Sequence, residues 1–269
     1  MNVSRIRDTA RQLRRDIVEM THCAGSGHPG GSLSAAEIMA VLYFHVMRHD
    51  PARPQWEARD RFYLSKGHAC PVLYAALGED GYFATAEFKR FRKLGSLLQG
   101  HPHRLKTPGV EASSGSLGQG LSLAAGTALG LRMDKRKSRV FCLLGDGELQ
   151  EGQVWEAAMA AGHFRLDNLC AVVDYNNLQI DGAVEQVMGL APLADKWRAF
   201  RWNALEVDGH SVDALVSAFD RAANTRGKPT VLLAKTVKGK GVSFMEDKAE
   251  WHGRAPNREE YEKAMEELT

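Results

Sequence analysis

Two short segments carry oxygen-rich chemistry at a fixed interval. Leu144-Gly145-Asp146-Gly147-Glu148-Leu149-Gln150-Glu151-Gly152 is followed by Asp174-Tyr175-Asn176-Asn177-Leu178-Gln179-Ile180-Asp181-Gly182, with Asp146 and Asn176 standing 30 residues apart. Each follows an apolar run (140–144 and 169–173), so each begins where a buried strand ends. A hard divalent cation such as Mg²⁺ takes oxygen ligands in octahedral array, one or two from carboxylates and others from phosphate. Asp146, the amide oxygen of Asn176 and the carbonyl of Leu178 would supply three, with a diphosphate completing the set. The glycines beside Asp146 let backbone approach such a ligand closely. An Asp-Gly pair alone is an ordinary turn; the pairing at two strand ends makes it informative.

Many of the glycines sit beside histidine. His28, His68, His101 and His252 each lie beside or near glycine, in Gly25-Ser-Gly-His28-Pro-Gly-Gly31, Ser65-Lys66-Gly67-His68, Gly100-His101-Pro102-His103 and Trp251-His252-Gly253. Imidazoles exchange protons near neutral pH.

The elements that must position these residues are legible from periodicity. Apolar runs at 62–64, 140–144, 169–173, 204–207 and 231–234 read as buried parallel strands. Between them lie helical patterns: Ser34-Ala-Ala-Glu37 as a capping box before Ile38, Val41 and Leu42, then 117–131, 151–162, and 211–223 opened by Ser211. His45 and His49 are expected four apart on one helix. Strand alternating with helix implies an α/β fold, a doubly wound, mainly parallel sheet with helices on both faces. Ligands of such sheets bind beyond the carboxyl ends of the strands. The decisive residues are therefore 65–68, 145–147, 174–177, 208–210 and 235–241.

Composition narrows the function classes. The 269 residues are 44% hydrophobic, and 35 basic against 33 acidic residues leave a formal charge of +2, so no nucleic-acid-tracking surface is expected. No run reaches the roughly 20 apolar residues of a membrane span, and no membrane association is expected. The opening MNVSRIRDTARQLRRD has no apolar core for a secretory signal, and Asp8, Asp16 and Glu19 argue against a mitochondrial presequence. Cys23, Cys70, Cys142 and Cys170 form no CxxC and read as reduced, cytoplasmic thiols. No repeat or linker divides residues 1–269, which are expected to form one domain.

Together, the paired GDG and Asn motifs, Gly25–Gly31, Leu64-Ser-Lys-Gly-His68-Ala, Gly100–His103, Ser113-Ser-Gly-Ser-Leu117-Gly-Gln-Gly120 and Trp251-His252-Gly253 resemble the transketolase family, in its order and over nearly the whole chain. The resemblance implies the thiamine-diphosphate-binding fold, specifically the diphosphate domain that forms a transketolase's amino-terminal part. It implies thiamine diphosphate with Mg²⁺ (Ca²⁺ or Mn²⁺ as substitutes) held by Asp146, Asn176 and Leu178. Backbone of Gly145, Gly147, Gly115 and Leu117 would line the cofactor, and His68 and His252 would face its diphosphate side. His28, His101 and His252 would act on the ketose hydroxyls and carbonyl oxygen, while Glu151 matches a carboxylate at the subunit interface. The implied reaction is transfer of a two-carbon ketol unit between sugar phosphates. Gly30-Gly-Ser-Leu33, Ser116 and Lys66 depart from the commonest form and fit a form split between two polypeptides.

A full transketolase continues into a pyrimidine domain carrying the glutamate that activates the cofactor, and no later strand–helix block follows Trp251-His252 here. The expectation is a carboxy-terminal partner subunit supplying that domain, in a two-plus-two heterotetramer. Rival readings are the alpha chain of a 2-oxo acid dehydrogenase, part of a deoxyxylulose-phosphate synthase-like enzyme, or a non-catalytic cofactor-binding regulator. Lys235-Thr-Val-Lys238-Gly-Lys240-Gly reads either as a phosphate loop or as a solvated strand end. His163 and His210 read as helix and loop ends.

Overall fold

Strands β1 (Arg61–Leu64), β2 (Val140–Gly145), β3 (Leu169–Tyr175), β6 (Asn203–Asp208) and β7 (Thr230–Lys235) form one all-parallel sheet in the order β1-β2-β3-β7-β6, while β4 (Leu178–Gln179) and β5 (Gly182–Ala183) form a small antiparallel hairpin. The computed structural model describes residues 3–269. The apolar runs arise because successive side chains point to opposite faces and both faces are covered. Along β2, Phe141 and Leu143 enter one core, whereas Val140, Cys142 and Leu144 enter the other. The helices are α1 (Val3–Ala24), α2 (Pro29–Leu33), α3 (Ala36–Val41), α4 (Cys70–Asp80), α5 (Gln119–Met133), α6 (Gly152–His163), α7 (Val184–Met188), α8 (Leu193–Ala199), α9 (Val212–Asn224) and α10 (Arg258–Glu267). Residues of α1, α3, α4 and α9 fill the first core, and residues of α5, α6 and α8 fill the second. The expected α/β fold, with helices on both faces of a parallel sheet, is what the chain adopts.

Local expectations differ in places. Ser211 does cap α9, its side chain accepting from the Ala214 amide. Ser34 and Glu37 form no capping box: α3 follows Ala35 without a side-chain cap. The Ser34 hydroxyl instead donates to Asp174 at 2.6 Å, and Glu37 receives Arg14 and His210. Buried ionic partners from distant segments outcompete the local bond. The helix expected at 117–131 starts at Gln119, after Gly118 in a left-handed conformation (φ 83°). His45 and His49 do not share a helix. A π-turn over Leu42–Val46 ends at extended Met47, and His49 lies beyond it, bonded to the Tyr43 carbonyl and 3.2 Å from Asp80. The Asn176 segment leads directly into the β4–β5 hairpin.

Candidate functional site

Because the sheet is all parallel, the segments following β1, β2, β3 and β7 converge at one edge. A pocket opens there, lined by residues from each of them and from the segments around His28 and His252. Its floor is built on Asp146. One carboxylate oxygen accepts from the Gly147 amide at 2.8 Å and the other from the Asn177 amide. Asn177 meets that oxygen by adopting a left-handed conformation, φ 59°. The Asn176 side chain donates to Asp174 at 3.1 Å, and its amide oxygen accepts from the Leu178 amide. Asp174 is wholly buried, and also takes bonds from the Lys66 ammonium and the hydroxyls of Ser34 and Thr236. Glu148 binds the amides of Gly118 and Gly145 and the Ser65 hydroxyl, joining the starts of α5 and the GDG turn.

The histidines form a cluster above this floor. His28 has ring centroids 5.3 Å from His68, 5.6 Å from His252 and 6.4 Å from His101, and His68 stacks on His252 at 4.9 Å. His252 lies in a helical turn, Ala249–His252, beside buried Trp251. Lys238, only 2% exposed, reaches His252 Nδ1 at 3.2 Å. Its loop is held from behind. Arg14 pairs bidentately with Glu37 (2.6 Å twice) and also donates to the Lys240 carbonyl. His210 bridges Glu37 to the Val237 amide. The loop therefore directs Lys238 inward, and the solvated-strand-end reading does not hold for this residue.

Burial and charge set the protonation states. Burial, aided by the negative charge of Asp174, raises the Asp146 carboxyl to about 6. Burial would also raise Asp174, but Lys66 beside it and the donated hydrogen bonds bring it below the ordinary carboxylate value. His28 falls to about 4 through burial and then Arg92, and His252 to about 3 through burial and then Lys238. His68 and His101 are lowered for the same reasons, with Lys66 and Arg92 as the respective neighbours. Lys238 falls to about 8 by burial and the nearby Lys66. The cluster is therefore neutral at pH 7, beside two buried ammonium groups.

All of His28, His68, Gly115, Leu117, Gly145, Asp146, Gly147, Glu151, Asn176, Leu178 and His252 line the pocket. His101 stands at the rim, exposed, with its ring 3.1 Å from where a side chain on Gly115 would begin. The pocket also contains Lys66 and Lys238, which lie in the strand-end segments, and Glu148, Gln179 and Ile180, which lie within the two opening motifs but had no role assigned. Ile180 is an apolar residue in a polar turn, 69% exposed at the mouth, and that contrast is visible in the sequence. The donor set fits a diphosphate with a hard cation. Among the described residues no group of three or more His, Cys, Asp or Glu side chains is arranged to hold a metal ion by itself, so a cation would rely on Asp146, amide and carbonyl oxygens and the ligand's phosphates. The Gln179 amide oxygen is buried in the wall without a hydrogen-bond partner. A side chain on Gly147 would come within 3.0 Å of that oxygen, so the Gln179 side chain would have to shift to admit one.

The family model described as transketolase, thiamine diphosphate binding domain, matches residues 3–269. The chain is 46% identical over 259 residues to the 6-deoxy-6-sulfo-D-fructose transketolase subunit of Clostridium sp. (strain MSTE9), covering 96% of this chain and 94% of that protein. It is 40% identical over 269 residues to an apulose-4-phosphate transketolase subunit of Phocaeicola vulgatus, covering 100% of this chain and 95% of that protein. Human transketolase is 47% identical over 266 residues, but the match spans 42% of that protein. The crystal structure of transketolase from Campylobacter jejuni superposes with a TM-score of 0.94 at 34% identity, over all of this chain and 43% of the other. Matched across its length in sequence and in fold, the chain belongs to the transketolase family, as its thiamine diphosphate binding domain.

Proposed function

We propose that the chain is the amino-terminal subunit of a two-polypeptide transketolase, moving a two-carbon ketol unit from a ketose phosphate to an aldose phosphate. The observation that carries this reading is the joining of the Asp146–Asn176 floor to four neutral histidines around one pocket. Asp146, Asn176 and the Leu178 carbonyl would hold Mg²⁺, with Ca²⁺ or Mn²⁺ as substitutes, against the diphosphate. Lys238 and His68 would add charge and hydrogen bonds to the same end. When bound, thiamine diphosphate supplies the carbon nucleophile and the electron sink for C–C cleavage. His28, His101 and His252 would hold the ketose hydroxyls and move protons at the carbonyl oxygen, tasks suited to neutral imidazoles. Glu151, at the pocket mouth, would meet the neighbouring subunit.

Two relatives matched over nearly their whole length are named as transketolase subunits, which supports a separate partner carrying the pyrimidine domain, in a two-plus-two heterotetramer. Residues 1–269 would then act as one cofactor-binding domain. The four cysteines are free, which supports a cytoplasmic setting, and among the described residues no helix is long and apolar enough to cross a membrane.

The test is co-purification of the chain with its partner, followed by assays on ketose and aldose phosphates. Ketol transfer by the pair and none by the chain alone is the expected result. Release of CO₂ from pyruvate would instead indicate a decarboxylating thiamine enzyme. Cofactor binding without any turnover would indicate a regulator.

A further inference from the structure

Arg92 is not among the pocket residues, yet it touches the segments that carry two of the four histidines. It adopts a left-handed backbone conformation (φ 61°), which costs a non-glycine residue energy and is uncommon outside constrained sites. Its amide donates to the Leu98 carbonyl at 2.9 Å, closing the loop between residues 92 and 98. That turn directs the guanidinium toward the histidine cluster. One arm donates to the Ser26 hydroxyl at 2.6 Å, while the other donates to the Gly100 carbonyl at 3.3 Å and to His28 Nδ1 at 3.5 Å. A side chain on Gly100 would come within 3.2 Å of Arg92 Nε, so the guanidinium packs closely over this glycine. Nε itself is buried without a partner. The guanidinium thus ties the residue two before His28 to the residue just before His101.

We infer that Arg92 is a positioning residue that fixes His28 as its Nε2–H tautomer, with that N–H facing the pocket, and holds His101 in register with it. Guanidinium is a donor with no acceptor and does not lose its proton in proteins. The His28 nitrogen facing it must therefore be the lone-pair nitrogen, which leaves the proton on Nε2. His252 repeats the arrangement, with the Lys238 ammonium facing its Nδ1. The charged and titratable groups around His28 are Arg92, His101, Lys238, His68 and His252; no carboxylate is among those that shift it. Two ketose-facing imidazoles are thereby held as donors before any sugar arrives, which removes a reorganisation step.

The catalytic half of this inference rests on the transketolase reading, whereas the tautomer does not. In the full 269-residue chain labelled with ¹⁵N-histidine, long-range proton–nitrogen spectra report the tautomer, with His28→Asn supplying the assignment. A His28 Nδ1 at the shift of an unprotonated ring nitrogen is expected. A protonated Nδ1, or averaged nitrogens, would overturn the inference whatever the enzyme's reaction. In Arg92→Met the two His28 nitrogens are expected to average and the titration midpoint to rise from about 4 toward the ordinary histidine value. In the reconstituted pair, Arg92→Met is expected to lower kcat about 10- to 100-fold with thiamine diphosphate affinity unchanged. Arg92→Lys is expected to recover part of that loss. Unchanged kcat in a pair whose His28 tautomer has been lost would refute the catalytic half. A pair lacking ketol transfer but keeping the Arg92-dependent tautomer would count against the reaction assignment alone.

Discussion

At Asp146, a carboxylate is buried beside a second one, and two backbone amides do not fully offset the cost. A bound cation would relieve that cost and invert the shift. Asp146→Ala is therefore expected to abolish metal-dependent thiamine diphosphate binding in the assembled enzyme, read by calorimetry. The histidines are shifted in the opposite direction, and that shift makes a pH prediction. Their values in the folded chain lie below the ordinary 6.5, at about 4 for His28 and about 3 for His252. The unfolded chain then binds more protons between those values and 6.5. Their burial therefore weakens the fold progressively as pH falls from about 6.5 toward 3, and has no effect above 6.5. Proton NMR should find both rings neutral down to about pH 5; a midpoint near 6.5 for either would contradict the burial argument.

The elements show which local features a sequence exposes. The five strands are legible because both faces are covered, so nearly every position of β2 and β3 has to be apolar. Ser211 is legible as a cap because its partner lies three residues away. Ser34 and Glu37 mislead for the complementary reason: their partners are Asp174, Arg14 and His210, and sequence spacing carries no trace of those contacts. Lys238 is ambiguous on the same ground, since a lysine after a strand looks alike whether solvated or turned inward. The Arg14–Glu37–His210 group decides it. Truncating one member of a buried ion pair leaves the others uncompensated. Glu37→Ala is expected to cost about 3 kcal/mol in urea unfolding and to weaken cofactor binding through the Lys238 loop. The Glu37 carboxyl is held below its ordinary value because His210 and Arg14 overcome the effect of burial. Its contribution is therefore present above about pH 4.5 and is lost as pH falls below that.

Across the whole molecule, the pocket gathers residues from position 28 to position 252, so its occupancy should be felt globally. Thiamine diphosphate and Mg²⁺ together should raise the thermal midpoint of the chain, and each alone should raise it less, because a ligand that binds only the folded form stabilises by mass action. Equal shifts from Mg²⁺ with or without the cofactor would argue against a shared site. What the sequence hides at this scale is which distant side chains meet: Lys66, in the pocket, on Asp174, and Arg92, outside it, on His28.

The strand order has a consequence for how the chain is made. β7 lies between β3 and β6 although it is the last strand synthesised, so the sheet cannot close in the order in which it is translated. Until residue 235 has left the ribosome, the inner edge of β3 is bare. That edge is a hydrophobic run with open backbone groups, the kind of surface that recruits foreign strands. A nascent chain stalled between β6 and β7 would therefore depend on chaperones and be prone to aggregate. The same strand, β7, completes the sheet and leads directly into the Lys238 loop.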